Sequence, residues 1–200
     1  MNIETANLNW GELHELLGKA IAPLPVSLIS TVGEDGIYNA APFSLAFTVS
    51  WKPPIICSSF GPRANLQKKD TVKNIEFSHD FVINVVDESI IKPAVQASAE
   101  YLSDVDEIKE VGLTAIASDK VKSPRIAEAK VSLECRLVKT LDLGEGPTLR
   151  NLIFGEVVLV HVKDEVWVEG KIDPSRLKAV GRVGDGLYCR TGDIFEMKRS

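Results

Sequence analysis

The stretch TVGEDGIYNAAPFS, Thr31 to Ser44, contains a turn and the start of a new extended segment. Gly33, Asp35 and Gly36 tolerate positive φ in a tight connection, so Thr31 to Asn39 predicts a β-hairpin. Working outward, Val26 to Val32, Ile55 to Ser59, Phe81 to Val86, Val131 to Leu141 and Asn151 to Val162 are rich in β-branched residues and bounded by turn residues, which predicts strands and a mainly β protein. FGEVVLVHV within the last of these is apolar at both alternating positions. That pattern predicts a strand buried on two sides, as in a barrel wall pressed against a helix or a second subunit.

Helices are expected to be short and few. Trp10 to Ala20 places Leu13, Leu16, Leu17 and Ala20 on one stripe, predicting a helix packed across the barrel and stopped by Pro23 and Pro25. Asp70 is expected to cap a second helix beginning at Thr71, with Val72 and Ile75 on its apolar side. Ser89 to Ala99 is a third helix, and the acidic string Ser103 to Glu110 reads as a solvated helix or loop face. GRVGDG, Gly181 to Gly186, reads as a turn. No linker tract or repeat interrupts the 200 residues, so residues 1–200 are expected to form a single domain.

Composition narrows the function. With 23 basic against 28 acidic residues and a net charge of -5, the chain offers no electrostatic footprint for nucleic acid. No apolar run is long enough to cross a bilayer, and the first residues lack a secretory pattern, so no membrane role and a cytoplasmic location are expected. Cys57, Cys135 and Cys189 are far apart and read as buried thiols. His14, His79 and His161 have no partner at metal-ligand spacing, so no metal site is expected, and His161 reads as a hydrogen-bonded structural residue.

Two clusters could carry chemistry. In NAAPFS, Asn39 to Ser44, the small Ala40 and Ala41 would let a flat ligand approach, Pro42 stiffens the chain, and Ser44 offers a hydroxyl beside Phe43. The bland alternative is a strand that begins at Phe43 after a small-residue turn. In CSSFGPRANLQKKDTVKN, Cys57 to Asn74, Ser58, Ser59, Arg63, Lys69 and Thr71 lead into a helix N-terminus. Hydroxyls, a forked guanidinium, an ammonium and unpaired N–H groups suit a phosphate monoester. The bland alternative there is a solvated basic patch.

In order and spacing, these clusters together with WKPPIICSSF, KDTVKNI, VDEIKEVGLT, SPRIAEAKVSLECRL, LIFGEVVLVHV and GLYCRTGDIFEM resemble the FMN-binding split-barrel proteins of the flavin reductase-like and flavoredoxin type. The resemblance implies a Greek-key split β-barrel with a few short peripheral helices, forming a homodimer with one FMN per subunit near the interface. By the same match, Asn39, Ala41, Pro42, Phe43 and Ser44 would line the isoalloxazine and ribityl chain with Ser58 and Ser59 nearby, while Arg63, Lys69 and Thr71 would hold the phosphate. Tyr188 and Arg190 recur in the family pattern, which implies a place over the flavin or at the entrance used by a second ligand; the bland alternative is dimer packing plus a surface ion pair. The resemblance implies an oxidoreductase that takes hydride from NADH or NADPH and passes electrons to flavin, an acceptor protein or a small substrate. The alternative is an FMN carrier or store without its own NAD(P)H reaction. No catalytic triad or carboxylate pair is evident, and flavin chemistry requires none.

Overall fold

The computed structural model of the protein describes residues 1–197. The last three residues of the expected 1–200 domain lie outside the described residues. Seven strands form one antiparallel sheet: β1 (Ser27–Val32), β2 (Tyr38–Phe43), β3 (Ala46–Trp51), β4 (Pro54–Phe60), β5 (Asp80–Val85), β6 (Val131–Leu143) and β7 (Arg150–Val162). Their order is β2-β1-β5-β6-β7-β4-β3. The two end strands are therefore consecutive in the chain and joined only by Ser44 and Leu45, which forces the sheet to curl until its edges meet. The Ser59 N–H donates to Leu45 O at 3.0 Å at this corner. Because β2 and β3 do not pair with each other, the barrel is split there and β2 keeps a free edge.

The expected hairpin joins β1 to β2, with Gly36 at φ 81°, a conformation that L side chains rarely adopt. β2 runs through NAAPF instead of beginning at Phe43. Pro42 is tolerated because this strand lies at an edge, where one side of the ladder needs no donor. The strand β3, and a tail hairpin of β8 (Val180–Gly184) and β9 (Leu187–Arg190), were not expected. In GRVGDG only Asp185 and Gly186 form the turn, and the preceding residues pair with Leu24–Pro25.

Two apolar cores lie on opposite faces of β1. Leu28 joins Ala40, Val86, Ile90 and Ile108 under the peripheral helices, while the adjacent Ile29 joins Phe43, Phe60, Ile75, Phe81 and Ile153 inside the barrel. Strand alternation makes this division, since successive side chains leave opposite faces. Helix α2 (Asp70–Ser78) closes the barrel core with Val72 and Ile75.

Three expectations need correction. Helix α1 occupies Trp10–Ala20 as expected, but none of its residues is buried, because it stands over a cleft instead of packing across the barrel. β7 is only half-buried beyond Gly155, and Val160 is exposed, so no helix among the described residues covers its outer face, and of the two expected covers only a second subunit is left. The N-cap of α2 is Lys69, and Asp70 falls in the first turn, accepting from Arg63, from Lys73 at 3.1 Å and from Ser103 at 3.0 Å. The remaining short helices are α3 (Ile91–Gln96), α4 (Glu107–Glu110) and α5 (Pro174–Leu177).

Candidate functional site

A cleft of about 740 Å³ opens where the split corner, the β4–α2 connection, α1 and β8 converge. The corner supplies Pro42, Phe43, Ser44 and Leu45; the connection supplies Ser59, Arg63 and Lys69. The far wall is apolar, built from Leu13, Leu17 and Ile21 of α1 together with Leu24. Phe43 and Phe60 meet edge to face with centroids 4.5 Å apart, bracing the corner from the barrel side.

Cations gather at one end. The Lys69 Nζ lies 5.6 Å from the Phe43 ring centroid, the geometry of a cation–π contact, and makes no hydrogen bond or ion pair among the described residues. Burial holds its pKa below the usual lysine value; Arg63 and Arg150 add repulsion, against the pull of Glu100 and Glu107. Arg63 pairs with Asp70 and donates to Tyr101 O at 3.3 Å. At the head of α2 the Asp70 and Thr71 N–H groups find no backbone acceptor, as a helix start requires.

Arg150 belongs to this group, and sequence reading missed it. It lies 87 residues beyond Arg63, at the first position of β7, and only the β4–β7 pairing brings it beside Gly61. A Cβ on Gly61 would fall 2.9 Å from Arg150 Nη1, so the glycine leaves the space that the guanidinium uses. Arg150 Cζ sits 5.6 Å from the Trp10 ring centroid and Nη1 donates to Leu149 O at 2.8 Å, with no carboxylate partner. A lone arginine after a loop offers no signal in sequence.

Of the ten sequence-predicted residues, Pro42, Phe43, Ser44, Ser59, Arg63 and Lys69 line this cleft. The other four point elsewhere. Ala41 packs against the barrel core opposite Ile29. Ser58 is fully buried on the face shared by Ile56 and Phe60, and its hydroxyl has no partner. Asn39 and Thr71 join a buried network: Thr71 Oγ1 donates to Asn39 Oδ1 at 2.8 Å, and Asn39 Nδ2 donates to Glu107.

Glu107 also accepts the Ala40 N–H at 2.7 Å, taking the place of a missing strand at the free edge of β2. The segment expected to be a solvated face thus contributes a buried acid, because an exposed strand edge needs acceptors. Burial, with Asp70 adding to it, pushes the Glu107 pKa up to about 7 against the pull of the Ala40 N–H, Arg63 and Lys69. Tyr188 and Arg190 do not line the cleft; Arg190 forms an exposed ion pair with Glu88 at 3.5 Å.

The set fits a phosphorylated planar ligand: two cations without carboxylate partners among the described residues at one end, close to the start of α2, then hydroxyls and an apolar wall. No helix among the described residues is long and apolar enough to cross a membrane. The three cysteines are free thiols; Cys57 and Cys135 are buried as expected, whereas Cys189, on the tail hairpin, is partly exposed.

The chain is similar to several known proteins. An uncharacterized protein of Aquifex aeolicus is 35% identical over 187 residues, 93% of either chain. The crystal structure of nitrilotriacetate monooxygenase component B from Bacillus cereus is similar with a TM-score of 0.93 at 30% identity, covering 98% of both chains. Pseudomonas fluorescens 2-nitrobenzoate 2-nitroreductase NbaA follows with a TM-score of 0.90 at 28% identity, covering 100% of this chain and 96% of its own. The family model of the flavin reductase like domain matches residues 20–174, and the chain, a split β-barrel in architecture, belongs to that family.

Proposed function

We propose that the protein is an FMN-dependent oxidoreductase that takes hydride from NADH or NADPH and passes electrons to flavin, an acceptor protein or a small oxidised substrate. The observation that carries this reading is the cleft itself, with Lys69 and Arg150 lacking carboxylate partners at the head of α2 and an apolar wall beyond them. When bound, FMN supplies the redox chemistry.

This chain's residues bind and orient. Lys69, Arg150 and the first N–H groups of α2 neutralise the phosphate, while Arg63, tied to Asp70, holds the loop and adds a third positive charge. Pro42, Phe43, Ser44 and Ser59 border the ring and the ribityl chain. Ala41, Ser58, Asn39 and Thr71 support that border from behind, through the barrel core and the Glu107 network. Leu13 and Leu17 of α1 keep the far side of the cleft apolar. No side chain is assigned a proton-transfer role.

The working unit in this proposal is a cytoplasmic homodimer of one domain per chain, residues 1–200. Phe47, Val49, Trp51, Val138, Leu141 and Val160 are exposed along β3, β6 and β7, an apolar surface that a second copy would cover.

The test is absorbance of purified protein loaded with FMN and freed of excess, then given NADH and NADPH in turn without oxygen. A flavin spectrum that bleaches with either nucleotide supports the reductase and names the donor. A spectrum that stays oxidised until dithionite is added favours an electron carrier, and loss of all flavin on removal of excess sinks tight FMN binding.

A further inference from the structure

The cleft carries more unpaired positive charge than one phosphate uses. Lys69, Arg150 and Arg182 line it, and none has a carboxylate within 4.0 Å among the described residues. Lys69 rests over Phe43, whose ring meets Phe60, and Arg150 lies beside the next residue, Gly61, so the two cations share one end of the cleft. Arg182 stands apart on β8, opposite Leu24, and faces the cleft from the side of α1.

The two acids that line the cleft do not answer Arg182. Both turn to Lys19, Glu15 at 2.5 Å and Asp185 at 3.0 Å. The Asp185 carboxyl is held below its usual value chiefly by Lys19, with Arg182 contributing from a distance. Leu24 pairs with Arg182 across the two strands, and Leu13, Leu17 and Ile21 line the same cleft.

We infer that the space between α1 and β8 takes a second ligand of the apolar carboxylate class, with Arg182 as its anion anchor and Leu13, Leu17 and Leu24 as the wall for its apolar body. A guanidinium fork matches the two oxygens of a carboxylate. A single charge, partly offset by Asp185, suits a monoanion better than the pyrophosphate of a dinucleotide, and the leucines favour an apolar body. The inference rests on the proposed FMN site only in that FMN occupies the Lys69–Arg150 end, leaving Arg182 free. It makes Arg182 a specificity residue for the acceptor.

The experiment titrates FMN-loaded protein with benzoate and with benzamide, the same ring without the charge, following binding by calorimetry after retained FMN has been read by absorbance. Benzoate should bind about tenfold or more tightly than benzamide, the scale of a charge-assisted hydrogen bond. Arg182→Met should remove that preference while FMN retention and the melting temperature stay unchanged, and Arg182→Lys should restore part of it. Equal affinity for the two probes, no binding of either, or a preference that survives in Arg182→Met overturns the inference. Failure of the FMN reading is a separate signal: flavin lost from the wild type before any benzoate is added. If that happens, benzoate binding that still depends on Arg182 keeps the second site.

Discussion

Glu107 and Glu134 are both buried carboxylates that accept backbone N–H groups, yet their acidities move in opposite directions. Glu134 lies in the middle of the sheet on β6, and the Asp119 and Lys120 N–H groups at 2.8 and 2.6 Å and His161 Nε2 at 2.6 Å converge on it. Burial pushes its pKa up, but those three bonds outweigh burial and hold it below the usual carboxylate value. Glu107 stands at the free edge of β2 with one backbone donor and the Asn39 amide, and burial beside Asp70 prevails. Desolvation is common to both; the number and charge of the donors decide the sign. The closed part of the sheet can saturate a buried charge, whereas the split edge that borders the cleft cannot.

The largest effect expected from this contrast is at Glu134. Glu134→Gln leaves His161 and Arg125 without their acid and turns an amide toward one or more N–H donors, so a loss of about 3–5 kcal/mol is expected in urea melts at neutral pH. In the wild type the lowered pKa means that Glu134 contributes stability above the ordinary carboxylate range, lost as pH falls through its folded value. Equal stability of variant and wild type would erase the contrast.

Glu107 should show the opposite slope. Its raised pKa means that its contribution is fully present below the ordinary carboxylate range and is lost as pH rises through about 7. Glu107→Gln keeps an acceptor for the Ala40 N–H and has nothing to ionise. Relative to that variant, the wild type should lose on the order of 3 kcal/mol between about pH 4 and pH 8, measured by the same melts as a pH series. Parallel curves would show that the edge compensates its acid as well as the centre does.

Two smaller changes separate cleft from core on the two faces of the corner. Lys69→Ala should weaken FMN binding by about 1.5–3 kcal/mol, read by fluorescence titration, with little change in melting temperature. Ala41→Leu should do the reverse, since it overpacks the barrel core opposite Ile29: about 1–3 kcal/mol of stability should go, with FMN affinity nearly kept. An Ala41→Leu protein that melts normally but no longer holds FMN would move the ring to the other face of β2.

Much of the barrel was legible because its strands carry their own signals. Val131–Leu143 and Arg150–Val162 are long β-branched runs flanking the glycines at 144 and 146, and the Thr31–Asn39 turn has the residues that positive φ demands. β3, AFTVSW, escaped notice because it follows β2 after only two residues and stands largely exposed, so no buried alternation marks it. Within the site, Arg63 and Lys69 could be found because they sit in one run of sequence with the α2 start. Asn39 and Thr71 were equally visible as polar residues, but their commitment to Glu107 depends on a contact 68 residues away from Asn39.

By itself the sequence determined the positions of β1 and β4 to β7, the first hairpin and the start of α1, because each depends on neighbours a few residues apart, and the family resemblance, because motif order is kept along the chain. Only the tertiary structure decided which face of β2 meets the cleft, that Ala41 and Ser58 turn into the barrel, and that Arg150 joins Lys69 while Arg182 stands alone across from α1. The physical reason is alternation: a strand assigns its side chains to two faces, and which face is core and which is cleft depends on the sheet curling back until its first and last strands meet at Ser44 and Leu45.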